Sequence, residues 1–184
     1  MNTATRTLHE EHLLICRALD LLEAAAERVE RSRPVPAGWW AGVIAWFRTF
    51  ADRNHHAKEE HALFPAMVKA GLSAEGGGPI AVMLEEHDEG RALLQTMADG
   101  EPRSRAAAAR RYIDLLRAHI AKEDDILFQL ADTVLDEGAQ EALAHEFDAL
   151  TAAMGPDASS GCAAVVLRGL ALSLAGAADL ADAR

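Results

Sequence analysis

Histidine and glutamate occur in this sequence at the spacing of metal ligands. His55 precedes Glu59 by four residues, and His119 precedes Glu123 by the same interval. Residues four apart lie on one face of a helix, so each pair can direct an imidazole and a carboxylate at one point. Imidazole and carboxylate donors suit iron, manganese or zinc. The spacing therefore predicts a metal site carried by helices.

The two pairs belong to an internal repeat. The segment His-His-Ala-Lys-Glu-Glu-His-Ala-Leu-Phe, which begins at His55, aligns without a gap with His-Ile-Ala-Lys-Glu-Asp-Asp-Ile-Leu-Phe, which begins at His119. A weaker repeat relates Glu10-Glu11-His12 to Glu85-Glu86-His87. Each half of the chain thus offers one histidine and then a His-x-x-x-Glu segment. This doubling predicts two metals bridged by the glutamates.

Six residues form the predicted ligand set: His12, His55, Glu59, His87, His119 and Glu123. Three neighbours stay open as additional ligands: His56, Glu60 and Asp124. His56 and Glu60 are also four apart, but Ile120 stands at the repeat position that matches His56. The repeat therefore favours His55 with Glu59. The other histidines, His9, His61 and His145, are interpreted as solvated.

Composition limits the class of protein. The chain has 184 residues, half of them hydrophobic, and a formal net charge of -11. That length fits one domain with a sizeable apolar core. Nucleic acids and anionic membranes attract clustered Lys and Arg, so the charge argues against both as partners. Cys16 and Cys162 are too few for a disulfide framework.

Apolar periodicity predicts an all-α fold. Helices are expected over about 5–31, 39–69, 80–97 and 104–135, with breaks at Pro- and Gly-rich segments. Short loops between long helices favour an antiparallel up-down four-helix bundle over residues 1–135. Residues 136–184 are expected to form a C-terminal helical extension packed on the bundle, with helices over about 139–154 and 159–181. Pro65 should kink the second helix or mark its last turns.

Nothing in the sequence indicates a membrane or secretory segment. The N-terminus leads into charged residues, and no uninterrupted apolar stretch approaches the roughly 18 residues needed to span a bilayer. A cytoplasmic location is therefore expected.

The pattern resembles the haemerythrin-like, or HHE cation-binding, family over roughly residues 8–132. Leu63-Phe64-Pro65 matches the Leu-Phe-Pro that follows the helix 2 ligands in that family. The resemblance implies a four-helix bundle and two iron ions, joined by oxo or carboxylate bridges, with manganese or zinc as the alternatives. It assigns the ligands to the same six residues as the repeat.

The oxygen-carrying haemerythrins resemble this chain less well. They place a second helix 3 histidine where this sequence has Arg91, and an aspartate at the position of Asp124. Glu123 competes with Asp124 at the spacing that the repeat favours, and we prefer Glu123. The resemblance therefore implies a non-haem metal centre without implying reversible oxygen carriage.

Two functional hypotheses follow. The first is a binding or sensing protein for O2, NO, peroxide or the iron and redox state, with the C-terminal helices contacting a protein partner or a second copy. The alternative is a di-iron enzyme that acts on peroxide or another small substrate. Iron storage of the ferritin type is disfavoured, because that class uses paired Glu-x-x-His motifs, which this sequence lacks.

Overall fold

The computed structural model describes residues 1–182, and side-chain burial up to residue 177. Four long helices form the bundle: α1 spans Thr3–Glu30, α2 spans 39–69, α3 spans Pro79–Asp99 and α4 spans 102–134. Two further helices follow, α5 over Glu137–Met154 and α6 over Ser160–Asp182, with a short 3-10 turn between them. The predicted all-α class is confirmed, and each helix begins and ends within a few residues of its predicted bounds.

Contacts at both ends of α1 and α4 show that these helices are antiparallel. Thr5, near the start of α1, donates a hydrogen bond of 2.7 Å to Asp132, near the end of α4. Arg110, near the start of α4, donates to Glu30 at the end of α1. Helices of opposite direction place their apolar stripes face to face along their whole length. This pairing brings the His12 region of α1 beside the Glu123 region of α4.

The α2 and α3 helices form the matching antiparallel pair. Arg48 in the first half of α2 donates to Gln95 in the second half of α3 at 2.7 Å. Glu60 in the second half of α2 accepts from His87 in the first half of α3 at 2.8 Å. Each antiparallel pair therefore combines one helix from the first half of the internal repeat with one helix from the second half.

Both ligand-bearing helices change their pitch near the predicted ligands. α2 contains π-helical segments at Phe47–His56 and Glu59–Leu63, and α4 contains one at Glu123–Leu127. π-helical turns are rare in proteins and occur mostly as short bulges at functional sites. Pro65 lies two residues after the end of the second segment at Leu63, and α2 continues through it to Lys69. Pro65 therefore lies in the last turns of the helix, one of the two predicted outcomes.

A layer of buried polar side chains separates two apolar clusters inside the bundle. Along α1, Leu8 belongs to one cluster, Ile15 belongs to the other, and His12 lies between them. Along α4, Leu116 and Leu127 flank the layer in the same way. A buried Leu or Phe contributes about 1.5–3 kcal/mol relative to an exposed one. The clusters on both sides thus supply the stability that allows a polar layer inside the core.

The C-terminal helices pack on the bundle through apolar and polar contacts. Phe147 of α5 is buried in the cluster around Leu8. The indole N–H of Trp46 donates to the carbonyl of Ala163 in α6, and that of Trp39 donates to the carbonyl of Leu170, both at 2.9 Å. Two tryptophans of α2 therefore hold α6 at two points, about two helical turns apart.

By length and composition, the segment Ser160–Ala177 of α6 could cross a membrane. It contains one charged residue, Arg168, which is why the sequence showed no uninterrupted apolar stretch. Leu167 and Leu174 are buried against the bundle, whereas Val165 and Leu172 are exposed. A helix that packs one apolar face against a bundle can have the same length and composition as a membrane-spanning helix.

Candidate metal centre

Two groups of donor side chains lie in the polar layer. Site 1 comprises His12, His55, Glu59 and Glu123, and site 2 comprises His56, Glu59, His87 and His119. Within each group, one donor atom per residue lies within 4.8 Å of the others. All seven side chains are buried. Glu59 belongs to both groups, so the arrangement is that of two adjoining sites.

Glu59 faces both sites with different oxygens. Its Oε1 lies 3.7 Å from Nε2 of His55 in site 1, and its Oε2 lies 3.5 Å from Nε2 of His87 in site 2. Ligands bound at right angles on one metal, each about 2.1 Å from it, lie about 3 Å apart. The carboxylate of Glu59 is thus placed to contribute one oxygen to each of two metals.

Glu123, on α4, also faces both sites, but with a single oxygen. Its Oε2 lies 3.2 Å from Nε2 of His12 and 3.2 Å from Nε2 of His119. The first histidine belongs to site 1 and the second to site 2. Glu59 and Glu123 therefore form a pair of carboxylates between the sites, related by the internal repeat.

The donor atoms in this layer need a cation. Among the described residues, neither oxygen of Glu59 or Glu123 has a hydrogen-bond partner, and the Nε2 atoms of His12 and His55 also have none. Buried polar atoms without a partner cost about 1–3 kcal/mol each. The same atoms point at one another across a distance that suits a metal ion. These residues therefore fit a dinuclear site with imidazole and carboxylate ligands.

Carboxylates on the outer side fix the orientation of four of the histidines. In each case the Nδ1–H donates to an acidic side chain at 2.8 to 3.0 Å, which leaves Nε2 directed at the centre. The pairs are His12 with Asp124, His55 with Glu11, His87 with Glu60, and His119 with Glu86. Such carboxylate–histidine–metal arrangements fix the tautomer and raise the basicity of the ligand.

Two lysines from the repeated Ala-Lys-Glu segments complete this outer layer. Lys58 forms an ion pair with Glu11, and Lys122 forms one with Glu86. Burial alone raises the pKa of Glu11, but the hydrogen bond from His55 and the charge of Lys58 outweigh it and lower the pKa to about 2. The Glu11 carboxylate is therefore ionised and is fixed as an acceptor.

Aromatic rings cover the centre on the side of the apolar cluster that contains Leu8. Phe128 stacks on His12, with ring centroids 5.3 Å apart, and Phe64 stacks on His87 at 6.1 Å. Both phenylalanines follow the ligand segments at the same repeat position. These rings exclude water on that side and reduce the freedom of the two imidazoles.

The two central carboxylates cannot both be ionised without a cation. Burial and the negative charge of Glu123 raise the pKa of Glu59 well above its usual range. Burial also raises the pKa of Glu123, but the positive charges of the facing His119 and His12 imidazoles outweigh it and hold that pKa well below the usual range. In the metal-free protein Glu59 therefore carries a proton that a metal must displace.

The histidines differ in their affinity for protons. Burial lowers the pKa of His55 to about 4, and burial together with the charge of His87 lowers that of His56 well below the usual range. Burial also lowers the pKa of His119, but Glu123 and Glu86 outweigh it and raise the pKa to about 9. His55 and His56 are thus neutral and ready to bind a metal at neutral pH, whereas His119 must first lose a proton.

The structure brings all six residues of the predicted ligand set into this layer. It also adds His56, which the repeat disfavoured, and places both His55 and His56 at the centre, in different sites. The π-helical segment that ends at His56 accompanies this arrangement. The adjacent histidines at positions 55 and 56 were the sequence signal for this arrangement.

The other two open candidates take outer positions. Glu60 and Asp124 accept hydrogen bonds from Nδ1 of ligand histidines instead of facing the sites. Arg91, at the position of the second helix 3 histidine of oxygen carriers, donates to Glu60 at 2.6 Å and to Asp52 at 2.8 Å. Its side chain therefore supports the carboxylate behind His87, while His56 provides a third imidazole for site 2.

Three outer residues escaped the sequence prediction. Glu11 and Glu86 directly precede predicted ligands in the weaker repeat, and that repeated Glu-His pair was a usable signal for both. His9, interpreted as solvated, lies 3.1 Å from Asp124 and is about one-third exposed. His61 and His145 are exposed, as predicted.

A cavity of about 390 Å³ approaches the centre between α1, α2 and α5. Glu11 and Lys58 form its inner end, and Asp148 and Thr151 of α5 line its wall. The cavity thus ends one hydrogen bond away from His55.

Comparison with known proteins agrees with this geometry. The family model described as Hemerythrin HHE cation binding domain matches residues 3–131. The chain is 33% identical over 136 residues to the iron-sulfur cluster repair protein YtfE of Escherichia coli O81, a match that covers 67% of this chain and 60% of that protein. The protein of the same name from Citrobacter koseri is 32% identical over 139 residues, with the same coverage.

The chain spans about 60% of the length of these curated relatives. No solved structure matches it. The matched family range includes all seven donor residues of sites 1 and 2 and ends before α5.

Proposed function

The chain belongs to the Hemerythrin HHE cation-binding domain family, and on that premise we propose that it is a non-haem di-iron protein that binds O2, NO or peroxide at its centre. The position of Glu59 and Glu123 carries this proposal. Each carboxylate faces imidazoles of both sites. A pair of carboxylates shared between two groups of histidines is suited to two metals held a few ångströms apart.

The protein contributes geometry and a controlled environment. Glu59 and Glu123 would hold the two metals between them. The four outer carboxylates keep the histidine Nε2 atoms directed inward, and Phe64 and Phe128 exclude water on one side. Bound iron would supply redox chemistry and an exchangeable coordination position for the small ligand.

The two sites differ in their number of protein donors. Among the described residues, three imidazoles belong to site 2 and two belong to site 1, while both carboxylates adjoin each site. Ile120 stands in the repeat where His56 stands in the other half, and it offers no donor. Because site 1 has fewer protein donors, it is the site that would leave an exchangeable coordination position. Ile120 would provide an apolar surface beside the small ligand.

An anaerobic ligand titration tests this function. The protein loaded with two ferrous ions should show a stoichiometric change in its optical spectrum on addition of NO or peroxide, and a ferric charge-transfer band after exposure to O2. Continuous consumption of peroxide would favour the alternative of a di-iron enzyme. A di-iron protein whose spectrum responds to none of the three would contradict ligand binding at the centre.

A second candidate function is iron-sulfur cluster repair. The relatives that carry this name are about one-third identical to this chain, over 136 and 139 residues. Site 1, with fewer donors and the adjoining cavity, is the site from which one iron could leave. The test is to add the iron-loaded protein to a [4Fe–4S] enzyme damaged by oxidation. Recovery of that enzyme above an equal amount of free iron would support repair.

We also propose that the protein is cytoplasmic and that α6 rests on the bundle instead of spanning a membrane. The indole hydrogen bonds from Trp39 and Trp46 to α6 support this arrangement. The exposed side chains of Val165 and Leu172 leave an apolar outer face. Recovery of the full chain in the soluble fraction after cell lysis without detergent tests this point.

A further inference from the structure

A continuous series of hydrogen bonds links the C-terminal extension to a ligand of site 1. Thr151 of α5 donates to Oδ1 of Asn54 at 2.8 Å, and Nδ2 of Asn54 donates to Oε1 of Glu11 at 2.9 Å. The other oxygen of Glu11 accepts from Nδ1 of His55 at 3.0 Å. Three hydrogen bonds therefore connect a helix outside the matched family range with an imidazole of the centre.

The inner members of this series have little freedom. Asn54 is 0% exposed, Glu11 is 3% exposed and His55 is 1% exposed. Asn54 must present its NH2 group to the Glu11 carboxylate, because its oxygen would repel the negative charge. The hydroxyl of Thr151 holds the amide oxygen on the opposite side and thereby selects the productive orientation. Buried hydrogen bonds that form a network reinforce one another.

The other half of the centre lacks this link. In the repeat, the residue that corresponds to Asn54 is Ala118, which has no hydrogen-bonding side chain. Glu86 accepts from His119 and forms an ion pair with Lys122, whereas Glu11 accepts from His55 and Asn54 and also pairs with Lys58. The additional donor of Glu11 is thus the one whose orientation depends on α5.

We propose that α5 positions the site 1 ligand His55 through Thr151 and Asn54, so that the C-terminal extension sets the metal affinity of site 1 and leaves site 2 unaffected. This inference rests on the proposed function, since it presupposes a metal in each site. Loss of a hydrogen-bonded partner behind a ligand histidine reduces metal affinity about 10- to 100-fold. Thr151 lies two hydrogen bonds beyond Glu11, the direct partner of His55, so we expect an effect at the low end of this range, about tenfold.

Cobalt binding to single-site variants of the full chain provides the test. The double substitution His56→Ala/His87→Ala leaves site 2 with one imidazole and leaves both imidazoles of site 1 intact, and His12→Ala leaves site 1 with one imidazole. Thr151→Val removes the hydroxyl with little change of shape in each background, and Thr151→Ser restores it. Thr133→Val is the matched control, because Thr133 is exposed and donates only to the backbone of its own helix. The readouts are the cobalt dissociation constant and the cobalt d–d absorption bands.

The expected result is a dissociation constant about tenfold higher for Thr151→Val in the His56→Ala/His87→Ala background, with shifted d–d bands. Thr151→Ser should behave as the parent, and the His12→Ala background should show no effect. Equal constants for Thr151→Val and Thr133→Val in the His56→Ala/His87→Ala background would overturn the inference, provided that the unmodified protein binds two cobalt ions. An unmodified protein that binds no cobalt would overturn the proposed function as well.

Thermal unfolding of the metal-free variants separates positioning from folding. Thr151→Ala serves as a second variant if the valine disturbs the packing of α5. A variant that unfolds like its parent without metal, yet binds cobalt more weakly at site 1, supports positioning. The inference would be overturned if the Thr151 variants lost cobalt affinity equally in both backgrounds and in proportion to their loss of thermal stability.

Discussion

His56 stacks on His87, with ring centroids 3.9 Å apart and ring planes 11° from parallel. The two histidines come from neighbouring helices and both belong to site 2. In the repeat, His56 corresponds to Ile120. It is therefore the side chain that makes the two halves of the centre unequal.

Replacement of His56 by alanine should weaken metal binding at site 2. The variant keeps both central carboxylates and two imidazoles, so we expect its metal affinity at that site to fall about tenfold or more while site 1 still fills. Titration with ferrous or cobalt ions under anaerobic conditions measures this. His61→Ala, which removes an exposed histidine of the same helix, is the control. Identical titrations for the two variants would show that His56 is not a ligand.

Metal affinity should rise with pH. The pKa of His119 is raised to about 9, the pKa of His12 is raised, and the pKa of Glu59 is raised well above its usual range. His119 and Glu59 hold protons at neutral pH in the metal-free protein and His12 has an increased affinity for one, so metal binding must displace protons. Calorimetric titration in buffers of different ionisation enthalpy counts the released protons. An affinity that stays constant from about pH 6 to about pH 8 would contradict this account.

Glu59→Gln should stabilise the metal-free protein and abolish dinuclear binding. Because the pKa of Glu59 is raised in the folded state, the folded protein retains a proton that the unfolded chain loses. The free energy of unfolding therefore decreases as pH rises above the ordinary carboxyl pKa. A neutral amide avoids this loss, and we expect about 1–3 kcal/mol of added stability at neutral pH.

Denaturant unfolding of the metal-free proteins measures the effect of this substitution. Glu10→Gln is the matched control, since Glu10 is exposed on α1. For a chain of this size, 1 kcal/mol corresponds to a shift of about 2–4 °C in Tm. A metal-free Glu59→Gln protein that is less stable than its parent would disprove the unfavourable burial of this carboxylate.

Trp46→Phe should loosen α6 without affecting the centre. The substitution removes the indole donor to the carbonyl of Ala163 and leaves an aromatic ring in the core. A lost buried hydrogen bond costs about 0.5–1.5 kcal/mol. Hydrogen exchange of the α6 amides should accelerate, while metal content stays unchanged. Trp40→Phe, at a half-buried neighbour, controls for the loss of an indole.

Strong periodicity made the helices predictable from the sequence. The apolar faces recur at helical spacing, and the Pro- and Gly-rich segments around Pro34, Gly77, Pro102 and Gly155 mark the connections. The C-terminal helices were predicted for the same reason. Their contact with the centre was not, because the partner of Thr151 depends on how α5 is rotated against the bundle.

The ligand set was predictable only as far as α-helical spacing applies. His55 and Glu59 are four apart and share a face, whereas His56 enters the centre from a π-helical segment that the spacing rule does not anticipate. The repeat also argued against His56, because it assumed equal halves. Glu11 and Glu86 act across helix interfaces, and no spacing within one helix identifies their partners.

Anomalous diffraction at the iron edge, from crystals of the iron-loaded full chain, tests the central claim most directly. The account predicts two iron peaks in the polar layer, one beside His12 and His55 and the other beside His56, His87 and His119, with Glu59 and Glu123 between them. A single peak, or iron bound outside this layer, would contradict a dinuclear centre bridged by these two glutamates.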